Sequence, residues 1–171
     1  MSVLLPLGLV LFTGTHLLLS LAPNAVAARR AALGDGPVKG TVAVLSAAGL
    51  VLIVLGWRGS TPQFLYAPVA VIPALVLIGI GIYLVVLSNR PSVVKRTLRH
   101  PHLPGVLLWS AGHLLLNGDS RSLLLFGWLA LWAVLEMLLI NRRDGARALP
   151  EAPPLTTDLA PVGVAILVFA A

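Results

Sequence analysis

The chain contains no cysteine. That excludes disulfides, Cys-ligated zinc, iron–sulfur clusters and thiol nucleophiles together. Charge is also scarce. Charged residues make up 11% of the 171 residues, against roughly 25% in a soluble domain. Acids are fewest, with six Asp and Glu in all, and aromatic residues are only 6%. A surface built from so few charges cannot face water. What is present is apolar: 58% hydrophobic residues and a mean hydropathy of +0.96. The net charge of +6 could point to nucleic acid. The basic residues lie between apolar runs, however, so membrane topology accounts for them and the expected partner is the lipid bilayer.

Six apolar runs are visible, at residues 3–21, 41–57, 67–87, 103–116, 123–140 and 159–171. About 20 residues of helix cross a hydrocarbon core. Runs one, two, three and five meet that length with some tilt or thinning. Run four, about 14 residues, reads as a short span or a partly re-entrant helix. Run six, about 13 residues, is expected to be incomplete, as in a shortened member of a family. The fold expected is an all-α polytopic membrane bundle of five to six transmembrane helices, forming one domain over residues 1–171. Proline-rich segments at 92–104 and 150–161 read as connectors, and residues 23–40 as a loop.

Ten of the twelve Lys and Arg residues fall in alternate loops. Arg29, Arg30 and Lys39 follow run one; Arg90, Lys95, Arg96 and Arg99 follow run three; Arg142, Arg143 and Arg147 follow run five. The positive-inside rule makes those loops cytoplasmic and the N-terminus external. Ala25-Val26-Ala27 imitates a signal-peptide cleavage site. A signal peptide carries its positive charge before the apolar stretch, and here Arg29 and Arg30 follow it.

Two histidines lie inside the runs. An ionisable residue at that depth is costly and normally faces protein or a cavity. His16 lies about 8 Å before the cytoplasmic end of helix one, and His113 about 15 Å past the cytoplasmic start of helix four, at 1.5 Å per residue. Those depths are compatible with one metal or haem iron between two imidazoles. The bland alternative is hydrogen bonding to neighbours such as Thr13, Thr15 or Ser110. Gly14 and Gly112, beside the two histidines, offer room for a flat ring. Asn117 is four residues past His113, shares its face and can orient the imidazole.

Two further features carry polar chemistry. Arg99-His100-Pro101-His102-Leu103-Pro104-Gly105 is a basic loop before helix four, which its prolines start near Pro104. It can hold a haem propionate or a phosphate, or be ordinary positive-inside charge. Asn117-Gly118 marks a tight turn, with Ser120 or Ser122 as the cap of helix five. Glu136, the one acid well inside a run, is expected to pair with Arg142, Arg143 or the Arg99 loop.

Arg99-His100-Pro101, Gly105, Trp109, His113, Asn117-Gly118-Asp119 and Leu123 to Gly127 together resemble the NnrU family. His16 and the run around Val44–Leu52 fit as well. The resemblance covers about residues 3–140 and is strongest over 99–127. NnrU proteins are bacterial inner-membrane proteins linked to denitrification and nitric oxide metabolism. The family is similar to the plastid 15-cis-zeta-carotene isomerase, a haem b protein with two membrane-helix histidines on its iron. The resemblance therefore implies His16 and His113 as metal ligands, with His100 as a nearby third histidine; Arg99, from the basic loop, and Asn117, from its spacing to His113, complete the candidate cofactor-binding residues. If the protein is an enzyme, it implies cis–trans isomerisation of an apolar polyene. His102-Leu103-Pro104, in place of the more usual apolar pair, departs from the family pattern. The same Arg-His-Pro segment resembles the S-adenosylmethionine site of isoprenylcysteine and phospholipid methyltransferases, with Leu103 where those carry tyrosine. A non-catalytic membrane assembly factor is the third reading.

Overall fold

A computed structural model of the chain describes residues 2–146, 149, 151 and 153–170. Arg147, Pro150 and Ala171, used above for charge, connector and run boundaries, lie outside the described residues. The described residues are helical throughout apart from connectors, and their one β pairing is the isolated bridge Phe64–Asp119. They divide into two compact units, one up to Gln63 and one from Phe64.

The first unit is an antiparallel helix pair with a third helix at its turn. Helix α1 is Leu4–Leu21, α2 is Pro23–Leu33 and α3 is Asp35–Arg58. Small residues bring α1 and α3 together. A Cβ on Gly8 would lie 2.6 Å from the Ile53 nitrogen, and one on Gly56 would lie 2.2 Å from the Leu5 nitrogen. Lipid gives helices no hydrophobic reason to associate, so close backbone packing has to do it. Helix α2 corrects the loop expected at residues 23–40. Pro23 sits at its first turn, Ala and Arg fill it, and Gly34 ends it at φ +86°, where other residues are strained.

The second unit holds α4 (Val71–Leu87), the single turn α5 (Val94–Thr97), α6 (His102–Leu116), α7 (Ser120–Asp144) and α8 (Leu159–Ala170), the last preceded by a 3₁₀ turn at Leu155–Asp158. Gly81, Gly105 and Gly112 lie against opposing backbone, so α4 and α6 run antiparallel in close contact. Helix α7 packs on α6, and α8 on α4.

Helix boundaries differ from expectation in three places. Helix α4 starts at Val71, not at residue 67, because residues 64–69 bond to the end of α6 instead. Helix α6 starts at His102, with Pro101 as its N-cap and Pro104 in the first turn, where the missing N–H costs nothing. The cap of α7 is Asp119 rather than a serine; its carboxylate accepts from the Arg121 and Ser122 nitrogens.

Three helices, α1, α3 and α7, are long and apolar enough to cross a membrane. Helices α4 and α6, at 17 and 15 residues, are shorter. Large apolar side chains such as Val44, Val51, Ile72 and Leu167 are exposed. Apolar surface on that scale calls for lipid around it.

Candidate functional site

His16 in the first unit and His113 in the second are both half-buried, and each is fixed by residues of its own unit. In α1 the His16 Nδ1 lies 2.8 Å from the Phe12 carbonyl oxygen. A carbonyl only accepts, so Nδ1 carries the proton and Nε2 keeps its lone pair. The Phe12 ring packs at 4.8 Å. Leu5, Leu9, Thr13 and Ser20, which fall on the same side of the helical wheel as His16, are buried. Thr13 and Thr15 each donate a hydroxyl to the carbonyl four residues back, Leu9 and Leu11.

The second histidine has the opposite arrangement. His113 lies in α6, with its ring stacked on Phe126 of α7 at 4.4 Å and 4° between planes. Trp109, one turn earlier, meets it edge-on at 4.6 Å. Asn117 is the C-cap of α6. Its backbone nitrogen and its Nδ2 both donate to the His113 carbonyl, at 2.8 and 3.0 Å. The same Nδ2 lies 3.2 Å from the His113 Nδ1. An amide nitrogen has two hydrogens and can serve both acceptors. Nδ1 then accepts and Nε2–H is the free donor. Turning the amide would set Oδ1 against the His113 carbonyl, acceptor against acceptor.

A strap holds this end of α6 in place. The Leu65 and Tyr66 nitrogens donate to the Gly118 carbonyl at 2.7 and 3.2 Å, and the Val69 nitrogen to the Leu115 carbonyl at 3.1 Å. The Tyr66 hydroxyl donates to the Leu114 carbonyl and, at 3.3 Å, to that of Asn117. The last carbonyls of a helix have no partner inside it, and here residues 65–69 supply the donors. Gly118 is required at the contact: a Cβ there would overlap the Tyr66 carbonyl.

Expected partners and observed partners can now be compared. Asn117 does reach His113. The two glycines do not make room beside the histidines. Gly14 is two residues, about 200° of helix, from His16, and the space beside it opens on another face of α1. Gly112 is filled by α4, since a Cβ there would lie 2.7 Å from the Ala74 carbonyl.

The profile of the NnrU protein family matches residues 4–171 of the chain. The chain belongs to the NnrU family. No curated protein and no solved structure matches it. The match runs past the 3–140 expected from the motifs and takes in α8.

The Arg-His-Pro segment of this NnrU protein lies at the other end of α6. Eleven residues, about 16 Å of helix, separate His102 from His113. Arg99 donates to the Gly145 carbonyl at 2.6 Å and lies 3.7 Å from Asp144, which also pairs with Arg143 at 2.6 Å. The guanidinium thus closes the C-terminus of α7. His100 is half-buried and His102 exposed. Glu136, expected to pair with Arg142, Arg143 or the Arg99 loop, is buried in α7 and interacts through its charge with Arg143, while the acid in contact with both Arg99 and Arg143 is Asp144. Among the described residues no group of three or more His, Asp or Glu could hold a metal. A haem needs only two axial nitrogens.

Two elements of the site escaped the sequence. Trp109, His113 and Asn117 recur every fourth residue and so share one face, a signal that was legible. Phe126 and Tyr66 reach His113 and its helix end from other segments, and no local pattern announces that.

Proposed function

We propose that this NnrU-type membrane protein crosses the bacterial inner membrane with five to six helices, N-terminus outside, and binds haem b with His16 and His113 as axial ligands. The observation that carries the reading is the His16 ring. Its Nδ1–H is tied to the Phe12 carbonyl, which leaves the ring lone pair on Nε2. This is how a ligating histidine is ordinarily held, its second nitrogen donating to a carbonyl. His113 is held equally firmly by Phe126 and Trp109. It can ligate through Nε2 once the proton moves to Nδ1 and the Asn117 side chain swings off the His113 carbonyl to present Oδ1 to that proton.

A haem held by His16 and His113 would supply iron redox chemistry, which is what the resemblance implies for cis–trans isomerisation of a polyene. Leu123, Gly127, Trp128 and Leu131 line an apolar groove of about 380 Å³ on α7, suited to an apolar chain. The family's link to denitrification supports a role in nitric oxide metabolism as part of this reading. The Arg99 contacts with the C-terminus of α7 weigh against the methyltransferase reading, in which that guanidinium would hold a nucleoside cofactor.

The test is the absorption spectrum of the full chain purified in detergent from haem-replete cells. The reading predicts a Soret band that sharpens and shifts on reduction. A colourless protein contradicts it.

A further inference from the structure

A cavity that the haem reading leaves unused lies in the first unit. Helices α1, α2 and α3 enclose a cavity of about 600 Å³, within the range of about 300–1,000 Å³ typical of ligand sites. Its walls are three regular stripes. Gly14 and Leu18 represent the α1 stripe, and Val38 and Val42 that of α3. Along α2 the lining residues are Ala25, Val26, Arg29 and Leu33, with Ala22 just before it. Offsets of three, four, seven and eleven residues put all of these on one helix face. No residue of α2 is fully buried, and Ala22 and Val26 on this face are half-buried, so α1 and α3 leave the stripe partly open. His16 does not line the cavity, and the site is independent of the haem proposal.

One charge enters this apolar space. Arg30 and Lys39 both bridge Asp35, at 3.6 and 3.2 Å. Arg29, one residue earlier, lines the cavity and makes no ion pair among the described residues. The cavity is therefore an apolar trough with an unneutralised guanidinium at its α2 wall. Gly14 faces open space there, with nothing within 4 Å of where its Cβ would be.

We propose that this trough binds an anionic phospholipid, with an acyl chain along α1 and α3 and the phosphate on Arg29. A short basic helix with an apolar face lies naturally at the headgroup level of a membrane, and anionic headgroups are drawn to basic residues there. The apolar stripes alone would accept any acyl chain; Arg29 selects the anionic headgroup.

The experiment uses the full chain in nanodiscs of phosphatidylcholine doped with a photoreactive phospholipid. The probe carries a diazirine in its acyl chain and either a phosphatidylglycerol or a phosphatidylcholine headgroup. Adducts are mapped by mass spectrometry. Labelling should fall on Val26, Leu33, Val38 and Val42, about fivefold more with phosphatidylglycerol. That ratio corresponds to about 1 kcal/mol. Arg29→Gln should reduce it to the phosphatidylcholine level, while Arg30→Gln, which touches only the Asp35 bridge, should leave it unchanged. Free inorganic phosphate should not compete, because the chain supplies most of the contact. Equal labelling by the two headgroups, a phosphatidylglycerol preference that survives Arg29→Gln, or displacement by inorganic phosphate would each overturn the proposal. Circular dichroism of each variant keeps misfolding distinct from lost binding.

Discussion

The two histidines differ in one proton position, and Asn117 decides it. His16 is held with its Nε2 lone pair outward by a carbonyl that can only accept. His113 is held the other way by an amide that donates. For haem to bind, the Asn117 amide has to turn. Asn117→Asp should therefore preserve or tighten haem binding, since a carboxylate accepts from Nδ1–H and raises the basicity of Nε2. Asn117→Ala should weaken it about 10–100-fold, the usual cost of losing such a partner. Haem titration of the apoprotein distinguishes the two; looser binding in the Asp variant than in the Ala variant would contradict the tautomer argument. Asp119 is the other decisive residue nearby. Burial pushes its carboxyl up, but the Ser122 hydroxyl and nitrogen, with the charge and nitrogen of Arg121, outweigh that and hold it below its ordinary value. A carboxyl depressed by folding stabilises the fold above its unfolded value, and that contribution is lost as pH falls through the lower folded value. Asp119→Ala should cost about 1 kcal/mol as a lost helix cap, and the loss should shrink in acid, where the wild-type carboxylate is protonated as well. Denaturation at neutral and acid pH measures it.

At the scale of elements, glycine placement separates packed faces from open ones. Gly81, Gly105 and Gly112 each meet opposing backbone within 3 Å of a would-be Cβ, whereas Gly79 and Gly163 meet nothing within 4 Å. Gly81→Ala or Gly105→Ala should cost about 1–3 kcal/mol by forcing α4 and α6 apart. Gly79→Ala should be neutral or slightly stabilising, because alanine is the better helix former. Thermal melts in detergent compare them, and equal melting points would remove the claim that backbone contact joins these helices. The apolar runs made α1, α3, α6 and α7 legible in the sequence to within a few residues at most ends. Helix α2 lies between two apolar runs, where apolar run length alone gives a loop; Pro23, an Ala/Arg-rich middle and Gly34 are the helix signals it carries. The late start of α4 was not legible at all. It depends on Leu65, Tyr66 and Val69 bonding to carbonyls some fifty residues away, and no local pattern records a bond of that span. The same holds for Phe126 against His113, whereas Asn117 could be read from its spacing alone.

At the scale of the whole molecule, composition settles the environment and charge asymmetry the expected orientation. Ten basic residues in alternate loops predict cytoplasmic segments at residues 23–40, 88–102 and 141–158. Reporter fusions in the first two should read the same side; opposite sides would remove the topology that the haem proposal requires. The central claim is that one haem iron is held by His16 and His113 together. Electron paramagnetic resonance of the oxidised full-length protein tests it most directly. The account predicts a low-spin ferric signal from two axial imidazoles in the wild type, giving way to high-spin or absent iron in both His16→Ala and His113→Ala and persisting in His102→Ala. No haem signal in the wild type, or a low-spin signal unchanged in both variants, would contradict it.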